Sequence, residues 1–208
     1  VEQKDGTPEQ LRVREINTGT YCFDIQALLQ ALPKLDCNNA QGEYYLTDVF
    51  GIMIQEGRVV APVVAEDEEE TLGVNSRSQL AVADKVLRRR KAEELMSEGV
   101  SIIDPDHVYI QQDVTVGKDT VLYPGTILEG KTVVGCGCRI GPDTELDNVI
   151  CGDDNHLNRV YAHECTIGSH NEMGPFVHLR PGTVMHDHIK VGNFVEVKNS
   201  DTLPGATP

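Results

Sequence analysis

No stretch of this 208-residue chain stays apolar for the roughly 20 residues that a membrane-spanning helix needs. Its opening, VEQKDG, is polar and has no initiator Met, and no secretory leader is expected there. An opening in mid-pattern predicts that the true N-terminus is missing. Basic residues are few: 18 Lys and Arg stand against 33 Asp and Glu, for a net charge of −15. A nucleic-acid partner needs a basic face, so neither nucleic acid nor membrane is expected as a partner. The one basic run, Arg88 to Lys91, is followed at once by Glu93 and Glu94 and reads as a solvated helix face. The six cysteines form no CxxC pair and no disulfide-rich spacing, which predicts inert thiols in a reduced, cytoplasmic chain. Cys136 with Cys138, and His186 with His188, each lack the second converging pair that a zinc site requires.

The residues that are present follow two patterns. The first mixes element types. Residues 11–24, LRVREINTGTYCFD, read as a strand bent near Gly19, with Val13, Ile16 and Tyr21 among its apolar positions. Asp24 is placed to cap a helix carrying Ile25, Leu28, Leu29 and Leu32 on one side, with Pro33 ending it. After a loop at Asn38, Asn39 and Gly42, Thr47 is placed to cap a second helix through Val49, Ile52 and Met53. Arg58 to Ala65, RVVAPVVA, reads as a buried strand before an exposed acidic loop. This alternation predicts an α/β sheet. From Ser76 to Glu98 no Gly or Pro interrupts the three-to-four spacing of Leu80, Ala83, Leu87, Ala92, Leu95 and Met96, so one long helix is expected, suited to an arm between domains.

The second pattern has a period of six. Val116, Leu122, Leu128, Val134, Ile140 and Leu146 follow one another without a slip. After an irregular stretch from Cys151 to Glu164 the ladder resumes at Ile167, Met173, Leu179, Met185, Val191, Val197 and Leu203. Gly117, Gly135, Gly141, Gly168, Gly174 and Gly192 each follow a ladder residue. Neither a strand period of two nor a helix period of 3.6 produces such ladders. They are the hexapeptide repeat of a parallel β-helix, in which three hexapeptides make one triangular coil with the aliphatic residue inward. Such helices are usually left-handed, against the general crossover rule.

Five strings occur in order: INTGTY (Ile16 to Tyr21), NNAQGEYYLTD (Asn38 to Asp48), GVNSRSQLA (Gly73 to Ala81), GPFVHLRPGT (Gly174 to Thr183) and VGNFVEVKN (Val191 to Asn199). Together they closely resemble the bifunctional N-acetylglucosamine-1-phosphate uridyltransferase / glucosamine-1-phosphate N-acetyltransferase family of bacteria, over nearly the whole chain. The resemblance implies the C-terminal portion of a Rossmann-like α/β nucleotidyltransferase domain over 1–75. A linking helix over 76–99 and a truncated left-handed β-helix acetyltransferase domain over 100–208 would follow. It implies acetyl transfer from acetyl-CoA to glucosamine-1-phosphate, then uridylyl transfer from UTP to the product with Mg2+ assistance, making UDP-N-acetylglucosamine for cell-wall polymers. It also implies a homotrimer with acetyltransferase sites between subunits.

By the same resemblance Glu2 and Asn17 match sugar-binding positions, and Asn75 matches a residue that shares the Mg2+ with an Asp. Asn17 before Gly-containing residues also suits a plain turn, and Asn75 a helix cap. Arg180 and Lys198 stand on firmer ground. Each follows an inward aliphatic residue and one full coil separates them, so they stack at one corner about 4.8 Å apart. Two cations so close call for an anion between them, and a sugar phosphate suits both; in the family these positions contact that phosphate. Salt bridges to Glu196 are the competing reading. The family's glycine-rich nucleotide loop and its HLTY-type motif, which carries the catalytic His, are not in the sequence, so neither catalytic centre is expected to be complete. His178, His186 and His188 read as surface polarity. The tail also departs from the family, with Pro204 where Gly is usual and an added residue near Asp201. A non-catalytic trimerising scaffold, or another sugar-1-phosphate nucleotidyltransferase with a β-helix tail, are the alternatives.

Overall fold

The computed structural model describes residues 6–39 and 41–205. The chain divides into two compact units, Val1–Asn75 and Ser76–Pro208.

The first unit holds two short helices, α1 (Ile25–Ala31) and α2 (Asp48–Gln55). The Asp24 carboxylate accepts the Ala27 backbone N–H at 2.9 Å and so caps α1 as its position predicts. The buried face of α1 differs from the expected one. Ala27 and Ala31 pack against Val49 and Met53 of α2, with Leu28, Leu35, Ile52 and Phe23 around them, while Ile25 and Leu29 are exposed. In a helix of two turns the small residues allow the closest approach, and that decides which side is buried.

Neither expected strand of this unit forms. Residues 10–12 are a 3-10 turn, and 13–24 run on without a partner strand; Val13 and Ile16 are exposed. Arg58 to Ala65 is likewise unpaired, with Val59 93% and Val63 95% exposed. A strand is stabilised by the ladder on its neighbour, and no neighbouring strand exists among the described residues of this unit. Pro62 also removes one donor from the segment. The Rossmann-like sheet is therefore not seen.

The second unit opens with α3 (Arg77–Ser97), whose N-cap is Ser76: its hydroxyl accepts the Gln79 N–H at 3.2 Å. Leu80 and Leu87 are exposed, whereas Ala92 and Leu95 are buried in the core of the β-helix, so the last turns of α3 close its first coil. The basic run is no uniform solvated face. Arg88 lies over the Tyr109 ring at 4.4 Å, and Lys91 is buried with its Nζ 2.9 Å from Glu94.

From Ser101 to Val197 the chain winds into a parallel β-helix with three faces, sheets of six, six and five strands. In chain order the first coil contributes Ser101–Ile102 to the first face, Tyr109–Ile110 to the second and Thr115–Val116 to the third. Every inter-strand pair is parallel. Ladder residues from Val116 to Leu146 and from Ile167 to Val191 are buried, each large one contributing about 2 kcal/mol of apolar burial. Val197 is only partly buried, and Leu203 is 78% exposed against expectation. The reason is register: Val184 bridges Asp201, one residue short of a full coil, so Leu203 is out of phase with the interior.

The irregular stretch turns out to be continuous helix with shorter coils. Leu146 pairs with Ala162, sixteen residues on, where Leu128 pairs with Leu146, eighteen residues on. Cys151, Leu157 and Ala162 take the inward positions there. A second buried row lies two residues ahead of the ladder. It includes Thr120, Thr126, Thr132, Thr144 and Thr183. The Thr120 hydroxyl donates to the Gly135 carbonyl at 2.8 Å and accepts the Cys138 N–H at 3.0 Å, supplying a corner where the backbone ladder is interrupted. Gly174 shows why glycine follows the ladder: its φ is +110°, and a Cβ there would collide with the Asn158 carbonyl oxygen of the preceding coil. Gly192 meets no such neighbour.

Candidate functional site

The second face brings together most of the chemistry. On either side of its inward row, side chains point outward in two columns set by the strand period of two. One column places Glu145, Tyr161, His178 and Glu196 on successive coils. The other runs through Glu129, Asp147 and His163; Arg180 and Lys198 continue it, one residue after the paired Leu179 and Val197. The second column thus changes from acidic to basic along the helix axis.

Arg180 and Lys198 therefore stand on neighbouring coils, as their spacing predicts. Arg180 is not free: its Nη1 donates to Glu196 Oε1 at 2.9 Å. That hydrogen bond, then the charges of Arg180, His178 and Lys198, hold the Glu196 carboxyl below the usual carboxylate range. His178 Nδ1 lies 3.9 Å from the same oxygen, and the Tyr161 ring meets His178 edge-on at 5.0 Å between centroids. One coil back, His163 stands between two carboxylates, Nδ1 3.3 Å from Asp147 and Nε2 3.7 Å from Glu145. A groove of about 770 Å3 runs along this face, lined by Tyr161, His178, Arg159, Phe176, Asp143 and Glu145 among others.

His178 is a partly exposed surface side chain, as expected, and it also faces the Arg180–Glu196 ion pair. The signal lay in the ladder: residues one before and one after each inward position of one face share a surface. His186 pairs with Asp201 at 2.8 Å, and His188 stacks on His170 at 4.8 Å, away from this face.

The remaining candidates lie in the other unit. Glu2 is outside the described residues. Asn17 makes a local turn, its Oδ1 accepting the Gly19 N–H at 3.1 Å and its Nδ2 donating to the Tyr21 hydroxyl at 2.5 Å. Asn75 precedes the true cap, Ser76, and is exposed. It offers one hard oxygen. Among the described residues no three His, Cys, Asp or Glu side chains converge on a common point, so the residues present do not make up a Mg2+ site.

No family model matches the chain. The Bifunctional protein GlmU of Carboxydothermus hydrogenoformans is 48% identical over 200 residues, covering 96% of this chain and 45% of that protein. That of Corynebacterium diphtheriae is 47% identical over 206 residues, covering 99% and 43%. Among solved structures, the acetyltransferase domain of PglB from Neisseria gonorrhoeae FA1090 overlaps 60% of this chain and 62% of its own at a TM-score of 0.44 and 16% identity. A hexapeptide transferase family protein from Anaplasma phagocytophilum overlaps 52% and 68% at a TM-score of 0.39 and 20% identity. The chain spans rather less than half the length of the curated relatives it matches. At near one-in-two identity across almost all of its own length, the chain is similar to a part of the bifunctional GlmU proteins.

Proposed function

We propose that this chain is part of an enzyme of UDP-N-acetylglucosamine biosynthesis in the cytoplasm. In that enzyme a β-helix domain acetylates glucosamine-1-phosphate from acetyl-CoA, and a nucleotidyltransferase domain then joins the product to UTP. The observation that carries the reading is the stacking of Arg180 and Lys198 at one corner, in a chain so similar to GlmU proteins. Arg180 supplies a planar fork for phosphate oxygens and Lys198 a point charge. Asn17 and Glu2 are proposed as contacts to the acetylated sugar, and Asn75 as a partial contributor to Mg2+ binding.

The 208-residue chain alone is proposed to turn over neither substrate: the acid–base group in hydrogen-bond reach of Arg180 is Glu196, and its carboxylate is already engaged by the guanidinium. Calorimetric titration with glucosamine-1-phosphate tests the reading: wild type should bind, and Arg180→Ala and Lys198→Ala should each weaken binding at least tenfold. A coupled assay for free thiol and for pyrophosphate should stay at background.

A trimer is part of the same reading. The third face presents Thr115, Val133, Ile150, Thr166 and Val184 outward, uncharged over these five coils with Ile150 59% exposed, before the row ends at Asp201. The first face instead presents Arg139, His156, Glu172 and Lys190, with Lys190 paired to Glu172 at 3.0 Å. An uncharged face favours a second copy; a charged one favours water.

A further inference from the structure

We propose that His178 is a positioning residue of this corner, taking over the Glu196 carboxylate when a phosphate draws Arg180 away. The inference rests on reading Arg180 and Lys198 as phosphate ligands. As the corner stands, the guanidinium that must grip a phosphate is already engaged by Glu196 Oε1 at 2.9 Å. The same oxygen lies 3.9 Å from His178 Nδ1, too far for a hydrogen bond and close enough for one after a small side-chain rotation. His178 and Glu196 occupy paired positions on adjacent coils, so the backbone ladder holds them side by side. The Tyr161 ring edge-on to His178 restricts the swing of the imidazole.

Three cationic or donor groups face Glu196: Arg180, Lys198 and His178. A bound phosphate recruits the first two. His178 is then the one left to hold the carboxylate, by donating from Nδ1. Without that donor Glu196 stands bare beside a dianion, and the repulsion opposes binding. His178 touches no reacting atom in this account and acts through Glu196.

The test is calorimetric titration of the 208-residue chain with glucosamine-1-phosphate, in wild type and single variants. His178→Ala should weaken binding roughly fivefold, the size of one partly exposed charge contact. His178→Asn places an amide nitrogen where Nδ1 sits and should restore binding; His178→Gln places it where Nε2 sits and should not. Glu196→Gln in the His178→Ala background should also restore binding, because the charge that needed a partner is gone. A Kd unchanged in His178→Ala, with Arg180→Ala abolishing binding, overturns the role of His178 and leaves the phosphate reading intact. A Kd unchanged in Arg180→Ala, or no binding by wild type, overturns the phosphate reading and this inference with it.

Discussion

The backbone N–H of Asn171 donates to the side-chain oxygen of Asn155, 2.8 Å away on the neighbouring coil. Asn171 repeats the arrangement toward Ile189 at 2.7 Å. The two amides continue, in a buried corner, the role that threonines play elsewhere. They are not equivalent. The Asn155 Nδ2 donates to the carbonyls of Gly152 and Gly168 at 2.9 and 2.7 Å, whereas the Asn171 Nδ2 is buried without a partner. Asn155→Ala should therefore cost about 3 kcal/mol and Asn171→Ala less, since more buried groups lose partners in the first. Urea unfolding of the two variants checks the order.

Leu128 is fully buried on the second face, on the strand next to its first. Leu128→Ala should cost about 3 kcal/mol through the cavity it leaves, and Leu128→Asp should unfold the β-helix by placing an unpaired charge there. Leu203→Ala should leave stability unchanged within about 0.5 kcal/mol, because that side chain already faces water. Thermal unfolding followed by circular dichroism distinguishes the three.

The thiols should divide into two sets. Cys22, Cys37 and Cys136 are exposed; Cys138, Cys151 and Cys165 are buried. Burial pushes the Cys165 thiol up to about 11, and a hydrogen bond with Cys138 together with burial raises Cys151 well above its ordinary value. A thiol reagent at pH 8 should label three cysteines in the folded chain and six in denaturant, counted by mass. Rapid labelling of Cys151 or Cys165 in the folded state would contradict their place in the core.

Acid should weaken the fold modestly and in a salt-dependent way. Glu172 and Asp106 are held below their ordinary values of 4.5 and 3.8, first by hydrogen bonds from Lys190 and Lys85. A carboxylate with a lower pKa folded than unfolded lends stability above the unfolded value, and that stability is lost as pH falls through the folded one. The melting temperature should drop below about pH 4.5, and 0.5 M salt should shrink the drop, since these pairs are exposed. Lys190→Ala should remove the share due to Glu172.

Assembly should depend on concentration. Sedimentation velocity is expected to show a trimer at high protein and monomer at low micromolar protein. Ile150→Glu, on the uncharged third face, should shift the balance to monomer, whereas Lys190→Glu on the first face should not. A single monomeric species at every concentration would remove the trimer from the account.

The β-helix was legible in the sequence because its interior writes itself as a period, and Val116 to Leu146 could be counted off residue by residue. The Thr row was legible too, as the same period two residues earlier, but small polar side chains do not announce burial. Ala162 could not be found by hydrophobicity, since its small side chain adds little to an apolar pattern and it sits off the six-residue period. In the first unit, Val59 and Val63 have the composition of a buried strand, and composition carries no information about whether a partner strand is present. For the site, the stacking of Arg180 on Lys198 followed from arithmetic. A salt bridge from Arg180 to Glu196 was open to the same arithmetic; that His178 stands behind Glu196 needed the coils in three dimensions.

The shortened coils have a consequence for how such a chain can change. Between Leu146 and Ile167 the inward steps fall from six residues to five at three places, at the corners rather than within strands. A residue lost from a two-residue strand would reverse the parity of inside and outside for everything downstream, whereas one lost at a corner only tightens the bend. The corners are thus the places where this architecture tolerates insertions and deletions, each coil re-synchronising with the last through the ladder. Length variation among such chains should collect there, and new loops can be grafted at Asn148 or Arg159 without disturbing the columns of side chains on the faces.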